Sequence, residues 1–226
     1  MISDLPYHDK HSIWSSHSII ASYLDLLPAQ SRVLDIGAAS GILARMCQNK
    51  TLRLFGIEPN SNWAQTASAL YEKMWTCSIS DIDQELLSGY DAVVLGDILE
   101  HLPIPELILE ELVGHQSSNA LFIISVPNIA NLWVRLNLLM GRFEYADRGI
   151  LDRTHLRFFT RRTLVHMIKN SGLEIISIQV TPIPLELVSR FFTTLPGRLL
   201  HAVLAQFTHW LPTLLGYQFV VQARKP

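Results

Sequence analysis

The sequence predicts an α/β fold: a doubly wound, seven-stranded, mostly parallel sheet with a helical insertion between the last two strands. Three observations predict it. Apolar strand-length runs alternate with segments of helical periodicity between residues 32 and 180. The first run, Val33-Leu34-Asp35-Ile36, enters a small-residue turn, Gly37-Ala38-Ala39-Ser40-Gly41, and then the helix-like stretch Ile42–Cys47. The second run ends on a carboxylate, Glu58, 21 residues after Gly37.

The elements follow in order. Residues 12–27 carry apolar side chains at Ile13, Trp14, Ile19, Ile20, Tyr23, Leu24, Leu26 and Leu27, a leading helix stopped by Pro28. Strand one is 32–37, followed by a helix over 41–49. Strand two is 52–57, and Asn60 or Ser61 caps a helix reaching residue 72. Strand three is 74–79 and strand four 91–96. Pro103 and Pro105 stand at the entry of a helix over 104–115. Strand five, Ala120–Val126, is apolar enough to be covered on both faces. A helix over 129–140 and an irregular charged stretch, 141–156, come next. Thr160 caps a helix over 161–170 that stops at Ser171-Gly172. Strands six and seven are 173–180 and 217–223.

Residues 181–216 are too many for a plain loop and have a helical pattern of their own. Pro184 starts a first helix, Pro196-Gly197 separates it from a second, and Pro212 follows. The expected form is a helical hairpin packed as a cap on the sheet end. A substrate lid, or a peripheral membrane contact through 182–214, is the alternative. Arg190, Arg198, His201, Gln206 and His209 interrupt it, so it does not cross a bilayer. The whole reads as one domain: helical extension 1–30, cofactor-binding core 31–180, insertion 181–216 and final strand 217–226.

The turn and the carboxylate have a chemical reading. Small residues let backbone approach a ligand, and a carboxylate at the tip of the second strand can accept both hydroxyls of a ribose. They describe an adenosine-type cofactor site. A nicotinamide or flavin fingerprint needs small residues at 37, 39 and 42, and position 42 is Ile.

The Gly37 and Gly41 spacing resembles the glycine loop of class I S-adenosylmethionine-dependent methyltransferases. Tyr90-Asp91-Ala92-Val93-Val94-Leu95-Gly96-Asp97-Ile98-Leu99-Glu100-His101-Leu102 resembles their fourth strand and following turn. Ser125-Val126-Pro127-Asn128 and Thr154-His155-Leu156-Arg157-Phe158-Phe159-Thr160 are similar to a bacterial subgroup found near sugar- and polysaccharide-modifying genes. The resemblance covers about residues 30–180. Ala39 stands where a glycine is commoner, which lowers the expected cofactor affinity. The resemblance implies a Rossmann-like methyltransferase fold with an antiparallel last strand and S-adenosylmethionine as cofactor. It implies O-methylation of a small-molecule, sugar or lipid-linked glycan acceptor. It places Asp35, Gly37, Ala39, Gly41 and Glu58 at the cofactor, Asp81 near its adenine amine and Asp97 at its methionine end.

Methyl transfer from a sulfonium is an in-line displacement that needs alignment, exclusion of water and sometimes a base. His155, with Asp97 and His101, is the catalytic candidate set, since an imidazole titrates near working pH. On a helix, Asp97, Glu100 and His101 would share one face. Asn128, Tyr145, Arg153 and Arg157 are the substrate-binding candidates, the arginine forks suiting a carboxylate or phosphate. Asp97, Glu100, His101 and His155 also resemble the metal ligands of small-RNA 2′-O-methyltransferases and of ubiquinone-pathway O-methyltransferases. Asp97 is shorter than the glutamate expected there, and the reading taken is a metal-free site. Two alternatives stay open: an RNA 2′-O-methyltransferase using a divalent metal, and a non-catalytic cofactor-binding partner of a biosynthetic enzyme. The second resembles a methionine-biosynthesis accessory family with the same Leu-Glu-His-Leu turn.

Composition bounds the remainder. The chain has 226 residues, 49% hydrophobic and 17% charged, enough for a sizeable core. Two cysteines, Cys47 and Cys77, exclude a disulfide framework. The first residues lack an apolar signal core, so a cytoplasmic, reducing setting is expected. Residues 1–134 hold 6 Lys/Arg and 15 Asp/Glu; residues 135–226 hold 12 and 5. The basic half suits an anionic acceptor. No RNA-binding module is legible, which disfavours nucleic acid.

Overall fold

A computed structural model describes residues 14–48 and 51–226. In chain order the strands are β1 (Arg32–Ile36), β2 (Arg53–Ile57), β3 (Lys73–Trp75), β4 (Ala92–Gly96), β5 (Leu121–Pro127), β6 (Glu174–Thr181) and β7 (Gln218–Arg224). The helices are α1 (Ser16–Leu24), α2 (Ile42–Met46), α3 (Ser61–Ala67), α4 (Pro105–His115), α5 (Leu132–Leu139), α6 (Arg161–Asn170), α7 (Leu185–Val188), α8 (Leu195–Trp210) and α9 (Pro212–Leu215). The sheet order is β3-β2-β1-β4-β5-β7-β6. β7 runs antiparallel to both β5 and β6, and every other pair is parallel. This is the expected doubly wound sheet with its reversed last strand.

Alternation along the strands explains the layers. Leu34, Ile36, Val93, Leu95, Phe122, Ile124, Phe219 and Val221 share one buried cluster with Leu109 and Leu112 of α4 and Leu164 and Ile168 of α6. Val33, Ala92, Val94, Ile123 and Val220 face the other way, against Ile20 and Leu24 of α1 and Leu43 of α2. Each strand thus presents successive side chains to opposite helical layers. Each large apolar side chain so buried contributes about 1.5–3 kcal/mol relative to exposure.

Helix starts follow local capping chemistry. The Ser15 side chain accepts from the Ser18 N–H, and Asn60 accepts from Asn62 and Trp63. Thr160 and Thr163 form a reciprocal capping box at α6, which spans the residues read from the sequence. Asn131 caps α5, so that helix begins at 132 rather than 129. β3 is shorter than expected because it is an edge strand: its ladder ends at Ile57–Trp75, where β2 itself ends. α1 begins at Ser16, and residues 12–13 of the expected helix lie outside the described residues.

The insertion departs most from expectation. Pro196 and Gly197 do not separate two helices; they form the first turn of α8, where a proline lacks no needed bond. A Cβ on Gly197 would lie 2.1 Å from the Phe191 carbonyl oxygen, so α8 can pack there only on a glycine. The first helix is reduced to α7 and a 3-10 turn over Arg190–Thr193. Pro212 opens α9. Among the described residues no helix is long and apolar enough to cross a membrane.

Candidate active site

The C-terminal ends of β1, β2, β4 and β5 lie along one sheet edge, and strand order reverses between β1 and β4. Open parallel sheets bind ligands at such a switch point. The loop after β1 has left-handed backbone at alternate residues: Gly37 (φ 75°), Ala39 (φ 45°) and Gly41 (φ 85°). A Cβ on Gly37 would sit 2.0 Å from Ile98 Cδ1, so the loop leans directly on the segment after β4. α2 has five residues, shorter than the helix expected over 41–49, and residues 49–50 lie outside the described residues. The loop itself therefore supplies the cradle.

Glu58 closes the cradle from β2. Its Oε2 accepts the Ala39 N–H at 2.8 Å and its Oε1 accepts the Asn60 N–H at 2.8 Å. Glu58 is 4% exposed. Burial raises its pKa, and the two backbone donors pull the other way. Asp35 lies behind the loop rather than at its mouth: it is buried, and Tyr71 Oη donates to its Oδ2 at 2.5 Å. Burial raises the Asp35 pKa to about 6, against the Tyr71 bond. Asp81 lies exposed in the turn beyond β3, its N–H donating to the Ser78 carbonyl.

Asp97 follows β4 with φ 56°, a left-handed residue and not the start of a helix. The expected shared helical face with Glu100 and His101 therefore does not form. The Asp97 carboxylate turns instead toward three other elements. Ser125 Oγ of β5 donates to Oδ1 at 2.6 Å, Gln218 Nε2 of β7 to Oδ2 at 2.8 Å, and Ser16 Oγ of α1 to Oδ2 at 3.4 Å. Gln218, Ser16 and Ser125 carry no sequence signal for this role.

Glu100, His101 and His155 do come together, with one ligand atom from each within 4.8 Å of the others. The Leu99–His101 segment is a single 3-10 turn. The Glu100 carbonyl accepts N–H bonds from Leu156 and Arg157, which draws the 152–160 segment over the turn. The His101 and His155 rings meet edge to face at 4.8 Å. His155 Nδ1 lies 3.1 Å from the Ile150 carbonyl and His101 Nδ1 3.3 Å from that of Thr154. A carbonyl only accepts, so each Nδ1 is the donor, and in the neutral tautomer this selects, Nε2 is the acceptor. His155 is 9% exposed, and burial lowers its pKa. Glu100 is 1% exposed with neither carboxyl oxygen hydrogen-bonded. Burial, then Asp97 and Asp152, hold its pKa well above the carboxylate range. Asp152 escaped the sequence reading, although Asp152-x-Thr154 is a turn signal: Asp152 Oδ1 accepts from both Thr154 N and Oγ1.

The substrate candidates divide. Asn128 is a structural residue, which corrects the sequence expectation. It is fully buried; its Nδ2 donates to the Thr213 and Gly216 carbonyls and its Oδ1 accepts from Ala130, so the side chain closes the fold and does not face a substrate. The Arg157 guanidinium grips the Pro103 carbonyl. Arg153 is exposed and paired with Asp147 at 2.6 Å, and Tyr145 is exposed beside Phe143.

The switch-point loop, with a buried carboxylate at the tip of the neighbouring strand, defines a nucleoside-cofactor-binding protein of the Rossmann-like class. The chain belongs to a methyltransferase-domain family, whose model matches residues 11–178. Solved structures share the fold. A SAM-dependent methyltransferase from Archaeoglobus fulgidus is 17% identical, with TM-score 0.60 over 92% of this chain and 94% of that one. Magnesium protoporphyrin IX methyltransferase from Synechocystis, with bound SAH, is 13% identical, with TM-score 0.59 over 93% and 82%. The 1,6-didemethyltoxoflavin-N1-methyltransferase of Burkholderia thailandensis, with its substrate and S-adenosylhomocysteine bound, is 17% identical, with TM-score 0.60 over 96% and 79%. No curated protein matches the chain.

Proposed function

We propose that the protein transfers a methyl group from S-adenosylmethionine to a hydroxyl of a small molecule, a sugar or a lipid-linked glycan. The glycine loop and Glu58 hold the adenosine part, and Asp97 orients the amino-acid end. The acceptor oxygen attacks the methyl carbon. The carbon–sulfur bond breaks, its electron pair stays on sulfur, and the hydroxyl proton passes to His155 Nε2. The observation that carries this reading is the buried His155 imidazole, with Nδ1 committed to Ile150 and Nε2 left as an acceptor. Arg153, exposed two residues before His155, would suit an anionic acceptor if it exchanged its Asp147 partner for one.

The test pairs two variants. Glu58→Ala should weaken S-adenosylhomocysteine binding about tenfold or more in a calorimetric titration. His155→Ala should lower turnover by about a hundredfold while leaving that binding unchanged. Parallel loss of binding and turnover in His155→Ala would overturn the base assignment.

A second reading is favoured by the unpartnered Glu100 carboxyl. Glu100, His101 and His155 offer a carboxylate and two imidazoles, a donor set that suits a divalent cation. A cation there would hold the acceptor hydroxyl and favour its ionised form. Calorimetric titration of chelator-treated protein with Mn²⁺ and Zn²⁺ decides it. Binding abolished by Glu100→Gln supports the cation, and no binding removes it.

A further inference from the structure

α8 is turned inside out relative to its sequence pattern. It buries Gly197, His201, Ala205 and Thr208 against the body, the small and polar members of its heptad-like repeat. Its large apolar residues point outward: Leu195 is 74% exposed and Trp210 67%, with Leu199, Val203 and Phe207 between them. The expected cap, with its apolar stripe packed on the sheet, is not what forms. α5 behaves alike. Only Val134 is buried, while Trp133, Leu136 and Leu139 are exposed.

The two exposed faces start from one junction. Asn131, the cap of α5, donates to the Leu215 and Gly216 carbonyls beyond α8, and Asn128 donates to the carbonyls of Thr213 and Gly216. Beyond the end of α5, the exposed Phe143 ring meets Phe158 at 5.9 Å, and Phe158 meets His155 at 6.4 Å.

Charge identifies the occupant. Residues 189–216 contain no aspartate or glutamate but carry Arg190 and Arg198, both exposed. α5 carries Arg135 as its one charged residue; Arg142 follows, with Glu144 and the Arg153-paired Asp147 beyond it. A twofold contact between copies of this face would set arginines against arginines. An anionic headgroup layer complements them, while the apolar side chains enter the acyl boundary and Trp133 and Trp210 suit the interface.

We propose that the exposed faces of α5 and α8 form one surface that seats on an anionic lipid bilayer. The surface stands whether or not the protein methylates a hydroxyl, because none of its residues serves the cofactor site.

The test is co-sedimentation of the full chain with vesicles of phosphatidylcholine alone or mixed with phosphatidylglycerol. Wild type should bind the anionic vesicles about tenfold more tightly or better, and salt should weaken binding. Leu199→Glu/Phe207→Glu should lose binding, and Arg190→Glu/Arg198→Glu should lose the preference for anionic lipid. Leu26→Glu, an exposed apolar position at the end of α1, should bind as wild type does. Far-UV circular dichroism and S-adenosylhomocysteine binding check that each variant is folded. A folded wild type that ignores both vesicles overturns the proposal. If it also sediments as a dimer that Phe207→Glu dissociates, a second copy covers the face instead.

Discussion

The Ala39 N–H donates to Glu58 Oε2 at 2.8 Å, and Ala39 makes that bond from a left-handed backbone of φ 45°. The residue that departs from the glycine expected in this loop is thus the one holding the Glu58 carboxylate in place. Its amide aims correctly only because the backbone adopts a conformation disfavoured for a residue with a Cβ.

Ala39→Gly should therefore stabilise the protein by about 1 kcal/mol, since the left-handed penalty exceeds the added flexibility of the unfolded chain. Urea denaturation measures it. The variant should also bind S-adenosylhomocysteine at least as tightly as wild type.

Asp35 predicts a pH dependence of stability. Its folded pKa, about 6, lies above the ordinary 3.8. A raised folded pKa means that the stabilisation is fully present below about 3.8 and is lost as pH rises through about 6. Asp35→Asn keeps an acceptor for Tyr71 and removes the ionisation. Its advantage over wild type should grow between pH 4 and pH 7 to on the order of 2–3 kcal/mol, read from denaturation at each pH.

His155 predicts a limb in the rate profile. Burial holds its pKa below the ordinary 6.5. The base is therefore neutral at pH 7, and kcat should fall only as pH drops below 6.5. A limb at or above 6.5 in wild type, unchanged in His155→Gln, would contradict the assignment.

Asn128→Ala should destabilise the protein by about 1–3 kcal/mol, because it takes a donor from the Thr213 carbonyl and an acceptor from the Ala130 N–H, and leaves the Gly216 carbonyl to Asn131 alone. Thermal unfolding measures it. Limited proteolysis should cut the variant first within 181–216, the segment those carbonyls close.

The pieces legible in the sequence are those that depend on neighbours along the chain. Gly37, Gly41 and Glu58 announce the loop through spacing alone, and Thr160 announces α6 through its capping pattern. Asp97 marks the opposite case. Its partners Ser16, Ser125 and Gln218 lie 81, 28 and 121 residues away, and only the strand order brings them to it. α8 marks a third case. Periodicity tells which residues share a face, and the apolar stripe was expected inward; the tight approach at Gly197 and the His201 bond to the Ile183 carbonyl turn it outward.

β7, last of the strands in chain order, slots between β5 and β6 and delivers Gln218 to Asp97. A chain emerging from the ribosome can assemble the glycine loop and Glu58 long before residue 218 is made. The seam between β5 and β6, at one side of the sheet, stays open until then, with the β5 edge unpaired and adhesive. Competence of the site is in this way tied to synthesis of β7, and a nascent chain paused inside the insertion would be a client for a holding chaperone.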